Sequence, residues 1–357
     1  MRTFLKLTAL LIAFTSFGGG VFGQVASPLQ PGHYVPGIIG IRDMATPPPG
    51  IFAILYNWYL WSNTYVDRNG NELTKFNLSN YDPMLPDVNV DMKLNGFATV
   101  PVIAWASEFT ILGGARYIAG IAPNYAVANY DILLDPEIPG VDPIRQEGSV
   151  SGFSDLVVLP LGLSWAFGEF DDLTVTDEEL AALGLSPRRR HNVTVMYSFL
   201  APTGRYEAGA SDNIGLGFWT HQFQGFGYYF PFEHQATALM AGLTFEINSE
   251  TKDVKVTPGN RLSLEWGVSQ FFTEWLELQV GGAHNWQVSD DTGDDVLYDP
   301  SVYDRKNTIY FGAAFMPVLA KFYIVAKYGF DFGLKQRFQN NNLVLSIYWA
   351  TGLLAGE

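Results

Sequence analysis

Five histidines are the side chains that most directly suggest acid–base or nucleophilic chemistry: His33, His191, His221, His234 and His284. A serine hydrolase needs a histidine that converges with a serine and a carboxylate or amide. The sequence has neither a Gly-x-Ser-x-Gly motif nor a His-Glu-x-x-His motif. Isolated histidines in strands and turns are usually hydrogen-bonded structural residues. We therefore expect no catalytic residue and no enzymatic activity.

Acidic residues form the second set that could do chemistry. Five aspartates lie close together in one loop: Asp290, Asp291, Asp294, Asp295 and Asp299. Carboxylate oxygens bind divalent cations, but this spacing does not match the EF-hand pattern, and a run of like charges is usually a solvated loop. The chain has no cysteine, which excludes disulfides and thiolate sites. We expect no metal site and no cofactor.

Polar residues that alternate with apolar residues are better candidates for function. The clearest alternation occurs in four stretches, which begin near Val88, Leu262, Leu276 and Phe322. A period of two places successive side chains on opposite faces of a strand, so that one face can meet lipid and the other water. Both signs of charge occur on the polar face, so a strong single-sign filter is not indicated. The residues expected to face the lumen of a barrel are Asn89, Asp91, Lys93, Asn95, Arg261, Glu265, Glu277, Gln279, Lys321, Lys327 and Asp331.

The composition indicates which environment these strands occupy. Charged residues make up 16% of the chain and aromatic residues 15%, whereas an ordinary globular domain has about 25% charged residues. After residue 23 there is no stretch of about 18 apolar residues, which excludes membrane-spanning helices. A closed barrel is the remaining way to pair every backbone polar group within a bilayer. The net charge of −15 argues against a nucleic-acid partner.

The predicted fold is an all-β, transmembrane, antiparallel up-and-down β-barrel of about 12 strands, with a range of roughly 10 to 14. The domain limits are a signal peptide at 1–23, a Pro/Gly-rich segment at 24–50, the barrel at 51–349 and a C-terminal tail at 350–357. The segment at 24–50 could enter and restrict the barrel or lie loosely beneath it. The expected strands are 51–65, 88–103, 108–127, 152–167, 191–202, 214–230, 235–248, 260–272, 275–288, 306–316, 319–332 and 342–349.

Loop lengths predict the orientation of the barrel, because short turns face the periplasm and long loops face the outside. The expected inside turns are 104–107, 168–190, 231–234, 273–274 and 317–318. The expected outside loops are 66–87, 128–151, 203–213, 249–259, 289–305 and 333–341. The long inside turn contains Thr176-Asp177-Glu178-Glu179, a capping-box pattern that predicts a short helix.

Aromatic residues are expected at the edges of the apolar belt or along a solute path. A girdle of aromatic residues at both membrane interfaces is typical of these barrels, and a row of rings could also form an apolar route through the lumen. We favour the girdle for at least half of the candidates. They are Trp105, Trp165, Trp219, Phe223, Tyr228 and Trp286.

Three stretches resemble a known family. They are His33-Tyr34-Val35-Pro36-Gly37 with Pro47-Pro48-Pro49-Gly50, then Trp219-Thr220-His221-Gln222, and then 258–268 continuing to 285–293. In these the chain resembles the meta-pathway phenol-degradation or SphA-like outer-membrane transporters. The resemblance implies an outer-membrane barrel and a link to the breakdown of aromatic compounds, and it implies no particular binding residues. One departure is that the last strand reaches Trp349 and eight further residues follow, whereas such barrels usually end on an aromatic residue.

The predicted function is passive passage of a small apolar or aromatic solute across the outer membrane of a Gram-negative bacterium. The expected partners are outer-membrane lipid, the solute and the barrel-insertion machinery, and the expected oligomeric state is a monomer. Two alternatives remain open. One is a structural or adhesive barrel that transports nothing, and the other is a soluble exported β-protein with a lipid-like ligand.

Overall fold

The computed structural model describes residues 32–350 except 81–83, 85, 137, 171–175, 178, 180–187, 211, 297–298 and 319–321. The predicted signal peptide and most of the predicted C-terminal tail therefore lie outside the described residues. A short 3-10 helix, Leu78–Asn80, follows the third strand. The strands are β1 (Gly50–Ser62), β2 (Tyr65–Val66), β3 (Lys75–Phe76), β4 (Val88–Ile111), β5 (Ala115–Ala122), β6 (Tyr125–Asp135), β7 (Ile144–Phe153), β8 (Leu156–Phe167), β9 (His191–Ala201), β10 (Thr220–Tyr229), β11 (Thr237–Asn248), β12 (Arg261–Phe271), β13 (Leu276–Gln287), β14 (Arg305–Val318), β15 (Phe322–Lys335), β16 (Arg337–Phe338) and β17 (Asn341–Ala350).

Twelve of these strands form one closed antiparallel barrel. Their order is β1, β4, β5, β8, β9, β10, β11, β12, β13, β14, β15 and β17. β1 closes the ring because it pairs with β17 on one side and with β4 on the other. Closure removes the unpaired strand edges that an open sheet would leave. The predicted class and number of strands are confirmed.

Apolar side chains cover the outside of the barrel, where a soluble protein would carry charge. In β11, for example, Leu239, Leu243 and Ile247 are 38%, 52% and 39% exposed. None of the outward positions along β11 and β12 is charged. Such a belt is typical of a surface that contacts lipid tails. Among the described residues, no helix is long and apolar enough to cross a bilayer.

The region between β4 and β8 departs from the predicted loop boundaries. The inside turn expected at 104–107 is wrong, because β4 continues to Ile111 and the chain turns at 112–114, where Gly113 and Gly114 have φ values of 78° and 98°. The outside loop expected at 128–151 is also wrong, because β6 and β7 form a paired hairpin there. This hairpin continues the line of β5 and β8 beyond the end of β9. β10 likewise begins at Thr220 and not near residue 214.

A bulge interrupts β8 at Pro160. Proline has no backbone N–H to donate, so a bulge is a favourable place for it within a strand. The pairing of β8 accordingly skips in register on both sides, between Val158 and Leu161 against β9, and between Ile118 and Gly120 of β5. The hydroxyl of Tyr117 donates to the carbonyl of Pro160 at 2.5 Å.

The predicted helix in the long inside connection is only partly described. The Thr176 N–H donates to Glu179 Oε2 at 2.8 Å, and the Glu179 N–H donates to Thr176 Oγ1 at 3.2 Å. These are the reciprocal bonds of a capping box. Residues 180–187 lie outside the described residues, so the helix itself stays a prediction.

Residues 32–49, which we call the lumenal segment, run through the barrel before β1 begins. His33 contacts Thr220 at the start of β10, and Thr46 contacts Asn192 near the start of β9, at the opposite end of the barrel. Following the predicted orientation, we call the end near His33 the outer end and the end near Thr46 the inner end. Ile41, midway along the segment, is fully buried. Gly267 of β12 makes room for it, since a Cβ there would lie 2.6 Å from Ile41 Cδ1. The residues around Ile41 are therefore packed in the interior of the barrel.

Candidate binding site in the barrel lumen

The inward faces of β10 to β15 form what we call the polar half of the lumen. Isolated charges in such a place would be costly, and they persist only where they are paired and hydrogen-bonded. The charged side chains here meet that condition chiefly through the lumenal segment. The buried ionisable residues of this half are Glu246, Arg261, Glu265, Glu277, Lys306, Lys327 and Asp331.

Lys327 of β15 binds the backbone of the lumenal segment. Its Nζ donates to the carbonyls of Gly37, Ile38 and Ile39 at 2.9, 2.8 and 2.6 Å. A lysine ammonium has three N–H donors, so the segment uses all of them. The same Nζ lies 4.7 Å from the centre of the Tyr310 ring. One buried cation therefore fixes the path of three consecutive residues.

Glu265 of β12 holds the outer part of the same segment. It accepts a hydrogen bond from the Tyr34 hydroxyl at 2.6 Å and one from the Gly37 N–H at 3.3 Å. The neighbouring Glu246 accepts from the Tyr34 N–H at 2.9 Å. Hydrogen bonds to a carboxylate are about twice as strong as neutral ones. These contacts anchor the segment to β11 and β12.

Arg42 anchors the inner part of the segment. Its Nε lies 2.5 Å from a carboxylate oxygen of Glu277, and its two Nη atoms donate to the carbonyls of Gln235 and Ala236 at 3.0 and 2.8 Å. The guanidinium also lies 4.9 Å from the centre of the Phe271 ring. A planar group with five donors suits this combination of partners.

Asp43 joins the segment to the two strands at the seam of the barrel. Its carboxylate accepts hydrogen bonds from Tyr56 of β1 and Tyr348 of β17, each at 2.6 Å, and from the Gly40 N–H at 2.5 Å. Burial raises the pKa of the Asp43 carboxyl, although these hydrogen bonds act in the opposite direction. The segment thereby touches both the first and the last strand.

His33 fixes the outer end of the segment. Its Nδ1 lies 2.6 Å from Thr220 Oγ1, and its Nε2 lies 2.8 Å from Asp155 Oδ2. The Thr220 hydroxyl donates to Asn248 Oδ1 at 2.7 Å. Asp155 also accepts from the N–H groups of Gly204 and Leu216, at the loop between β9 and β10. His33 therefore has a hydroxyl and a carboxylate as partners, and these contacts tie the outer end of the segment to the barrel wall.

A second polar cluster closes the outer end of the same half. The Arg261 Nη2 lies 2.5 Å from Asp304 Oδ1, and Arg337 of β16 pairs with the other oxygen of Asp304. All three side chains are buried. Because Asp304 and Arg337 lie in the connections on either side of β14 and β15, this cluster holds the outer loops against the wall. It does not face an open path.

The inward faces of β1, β4, β5, β8 and β9 form the opposite, apolar half of the lumen. A cavity of about 260 Å³ lies between this wall and the lumenal segment. On the segment side it meets Ile38, Ile39 and Met44, with Val35 and Pro47 further along. The wall side consists mainly of Phe52, Ile54, Val100, Val102, Ala104, Ile118, Ala122, Val157, Leu159, Met196 and Leu200.

The size and lining of this cavity define the solutes that fit it. A dry cavity of about 150 Å³ lined by aliphatic side chains is sufficient to bind benzene. The present cavity is larger than that but lies below the roughly 300–1,000 Å³ of pockets for drug-sized ligands. It suits a solute of one or two rings, or a short aliphatic chain. Polar residues also line it, including Asp43, Tyr56, Gln222 and Gln224.

The structure divides the eleven residues that were expected to face the lumen. Lys321 lies outside the described residues. The residues on β12, β13 and β15 point inward and are buried: Arg261, Glu265, Glu277, Gln279, Lys327 and Asp331. Gln279 Nε2 donates to Glu277 and to Tyr323, and Asp331 accepts from Thr308 at 2.7 Å. Glu265, Glu277 and Lys327 meet the lumenal segment directly.

The four residues on β4 point the other way, so their lumenal assignment is corrected. Asn89, Asp91, Lys93 and Asn95 lie on the outward face, where Lys93 and Asp91 form an exposed ion pair at 3.0 Å. Val90 and Met92 are the buried residues of this stretch, and they pack with Ile132 beneath the outer loops. This end of β4 pairs with β6, in the hairpin that extends beyond the barrel. There the outward face of β4 meets water, and loops cover its inward face. The usual orientation of the alternation is therefore inverted.

None of the six aromatic candidates lines the apolar cavity. Trp105, Trp219 and Phe223 are exposed on the outward face. Trp165 and Trp286 are also outward, and the indole of Trp165 donates to the Leu112 carbonyl at the inner turn. Tyr228 points inward, where its hydroxyl accepts from the Met44 N–H at 3.0 Å. The interior aromatic contacts come instead from residues such as Tyr310 and Phe226.

The acidic loop is engaged with its own surroundings. Asp291 is buried and accepts from the Gly259 N–H at 2.7 Å, and Asp290 accepts from the Tyr303 hydroxyl at 2.7 Å. Asp294 and Asp299 form exposed ion pairs with lysine and arginine, and Asp295 accepts from the Lys255 N–H. Within the described ranges no group of three His, Asp or Glu side chains is placed to hold a metal ion.

Sequence reasoning missed the apolar cavity. The signal for it was the absence of alternation in β1 and β8, because strands that are apolar on both faces cannot have a wet lumenal side. The second signal was the row of apolar residues within the Pro/Gly-rich segment, including Ile38 and Ile39, which an exposed linker would not need.

One solved structure shows the same fold at low sequence identity, and others are similar to this chain over most of their length. An outer membrane channel of the COG4313 group from Pseudomonas putida F1 superposes with a TM-score of 0.59 at 13% identity, over 89% of this chain and 99% of that one. A Pseudomonas aeruginosa FadL homologue gives 0.40 at 11% identity, over 84% and 90% of the two chains. The CymD monoaromatic hydrocarbon channel gives 0.39 at 10% identity, over 92% and 97%. At such identities the likeness concerns the fold alone.

The family match is independent of these superpositions. No curated protein sequence matches the chain significantly. A family model matches residues 63–347, which is most of the chain and nearly the whole barrel. The chain therefore belongs to the family described as "Putative MetA-pathway of phenol degradation".

Proposed function

We propose that this protein is an outer-membrane channel through which small apolar or aromatic compounds cross by passive diffusion. The observation that carries the proposal is the apolar cavity of about 260 Å³ between the lumenal segment and the wall of β1, β4, β5, β8 and β9. The link of its family to phenol degradation supports an aromatic solute. The uncharged outer belt supports a location in the outer membrane.

The lumenal segment explains why the solute would be apolar and small. Water and ions gain little from a cavity lined by aliphatic side chains, whereas an apolar solute gains about 25 cal/mol for each Å² that it removes from water. The polar half offers few open partners, because its charged side chains are bonded to the segment or to one another. A solute would therefore enter the apolar half, bind weakly, and leave toward the inner end. Nothing in this scheme requires a catalytic step or a cofactor.

Uptake measurements with a matched pair of variants test the proposal. Val102 lines the cavity, and the adjacent Ile103 points outward and is 53% exposed. In cells whose outer membrane lacks other porins, the wild-type protein should raise the initial rate of radiolabelled toluene uptake. Val102→Trp should remove most of this increase because the indole fills the cavity. Ile103→Trp should preserve it, since tryptophan is favoured on the outer face of such barrels.

Two results would oppose the proposal. One is a wild-type rate equal to that of cells without the barrel, which would favour a structural or adhesive protein. The other is an equal loss in both variants although both are folded, which would show that uptake does not depend on the cavity. Heat-dependent migration in gel electrophoresis, which reports folded barrels, controls for that second outcome.

A further inference from the structure

A second cavity of about 330 Å³ lies at the inner end of the lumen, next to the apolar cavity. We call it the inner vestibule. The two cavities share Ala45, and Pro47, which lines the apolar cavity, is bonded to a vestibule residue. A solute that leaves the apolar cavity toward this end therefore passes into the vestibule. Its polar lining consists chiefly of Arg42, Thr46, Arg116, Ser164, Arg189 and Asn192.

The three arginines of the vestibule differ in their partners. Arg42 is paired with Glu277, and Arg189 is paired with Asp177 at 2.6 Å. Arg116 of β5 makes no salt bridge with a carboxylate of the described residues. Its Nη1 donates to the Pro47 carbonyl at 2.7 Å, and its Nε is buried without a hydrogen-bond partner. A buried donor without a partner costs free energy, which a suitable ligand would recover.

The position of Arg116 makes it a receptor for a particular chemical group. A guanidinium presents five donors in a fork that matches a carboxylate, and one of them is used by Pro47. The two other arginines are neutralised by their own carboxylates, so among the described residues the surplus positive charge of the vestibule lies on Arg116. Thr46, Ser164 and Asn192 add neutral polar groups around it.

We propose that the inner vestibule is a subsite for the carboxylate of a small amphipathic acid, and that the apolar body of this acid lies in the adjacent cavity. This inference rests on the proposed channel function and narrows its solute class. An aromatic or short aliphatic acid would satisfy both cavities at once. A hydrocarbon of the same shape would use the apolar cavity alone. Arg116 is the residue that distinguishes the two solutes.

Benzoate and toluene form a suitable pair of probes, because they share a ring and differ in the carboxylate. Binding of each to the purified full-length protein in a neutral detergent can be followed by calorimetry. Arg116→Gln retains a donor for the Pro47 carbonyl and removes the charge. We expect it to weaken benzoate binding by about tenfold to a hundredfold, which is the range of about 1.5–3 kcal/mol for a charged hydrogen bond. Toluene binding should be unchanged.

Arg116→Lys is the conservative control. A lysine keeps the charge but loses the fork, so benzoate affinity should lie between those of the wild type and Arg116→Gln. Benzoate affinity of the wild type should also fall as salt is added, whereas toluene affinity should not. Together these readouts separate recognition of the charge from a merely structural effect of the substitution.

Each contrary result has a distinct meaning. Unchanged benzoate binding in Arg116→Gln would overturn the inference and leave the channel proposal intact. An equal loss of both probes would also overturn it, because Arg116 would then only support the fold around Pro47. If the wild-type protein binds benzoate but not toluene, the proposed route for apolar solutes fails, while the role of Arg116 stands.

Discussion

The two halves of the lumen face the same segment but use it differently. From β10 to β15 the wall meets the lumenal segment with charges and hydrogen bonds, such as those of Lys327 and Glu265. From β1 to β9 the wall meets it mainly across an apolar cavity, although Tyr56 and Asn192 also hydrogen-bond to it. The polar half fixes the position of the segment, and the apolar half leaves space beside it. A barrel of intermediate width can thereby be both occupied and permeable to a small solute.

This contrast indicates which half of the lumen contributes more to the stability of the protein. Buried charges are strongly destabilising when one partner is removed, whereas a side chain at the edge of an existing cavity has less packing to lose. Substitutions in the polar half should therefore lower the free energy of unfolding more than they change the affinity for the solute. Substitutions in the apolar half should do the reverse.

The largest effect is expected from Lys327→Met. This change removes the donor to three carbonyls of the segment and leaves the neighbouring carboxylates without their cation. We expect the free energy of unfolding to fall by about 3–5 kcal/mol. Chemical denaturation in detergent micelles measures it, and faster cleavage by trypsin after Arg42 would report release of the segment.

The matched control for this change is Lys93→Met on the outward face of β4. Lys93 forms only an exposed ion pair, so its loss should change the free energy of unfolding by less than about 0.5 kcal/mol. If both lysine variants lose the same amount, the polar half does not hold the segment in the way described.

A smaller loss of stability is expected from Ile118→Ala in the apolar half. Ile118 is buried in the wall of the cavity. Such a truncation usually costs about 2–5 kcal/mol, and we expect the lower end of this range because the side chain already borders empty space. The enlarged cavity should admit naphthalene better relative to toluene, as measured by competitive binding. An unchanged ratio would indicate that the cavity does not select solutes by size.

The smallest effect is expected from Asp43→Asn, and it should depend on pH. Burial raises the pKa of Asp43, so the folded protein holds this proton at a pH where the unfolded chain has released it. The stability that this proton contributes is complete below the pKa of Asp43 in the unfolded chain. It is lost as the pH rises through the higher pKa of Asp43 in the folded protein. The melting temperature of the wild type should therefore decline more over this range than that of the variant.

Other groups that titrate are common to both proteins and cancel in this difference. The expected sign is a gap between variant and wild type that moves in favour of the variant as the pH rises. A gap that is independent of pH would show that the pKa of Asp43 is the same in the folded and the unfolded protein, with the hydrogen bonds from Tyr56 and Tyr348 offsetting the effect of burial.

Much of the fold could be predicted because a barrel imposes a period of two on every strand. The twelve strands follow from that period and from the even count that returns the chain to its starting side. The errors occur where the environment reverses. The outer end of β4 alternates as well as any other strand, but water lies outside it and packed loops lie inside, so Asp91 and Lys93 were assigned to the wrong face.

The site was harder to predict than the fold. The polar residues of β12, β13 and β15 could be placed inward, but their partners lie far away in sequence, as for Arg42 and Glu277, which are separated by 235 positions. Nothing local to either residue indicates this pairing. The cavity is the space left between the segment and the wall. A single strand indicates such a space only through the absence of alternation.

Crystals of the protein soaked with iodobenzene provide the most direct test of the division of the lumen. The iodine atom gives an anomalous signal that reports the position of the ring without further assumptions. We expect a peak within the apolar cavity, in contact with Val102, Met196 and Ile39. A peak among the charged residues of the polar half, or peaks on the outer belt alone, would contradict it.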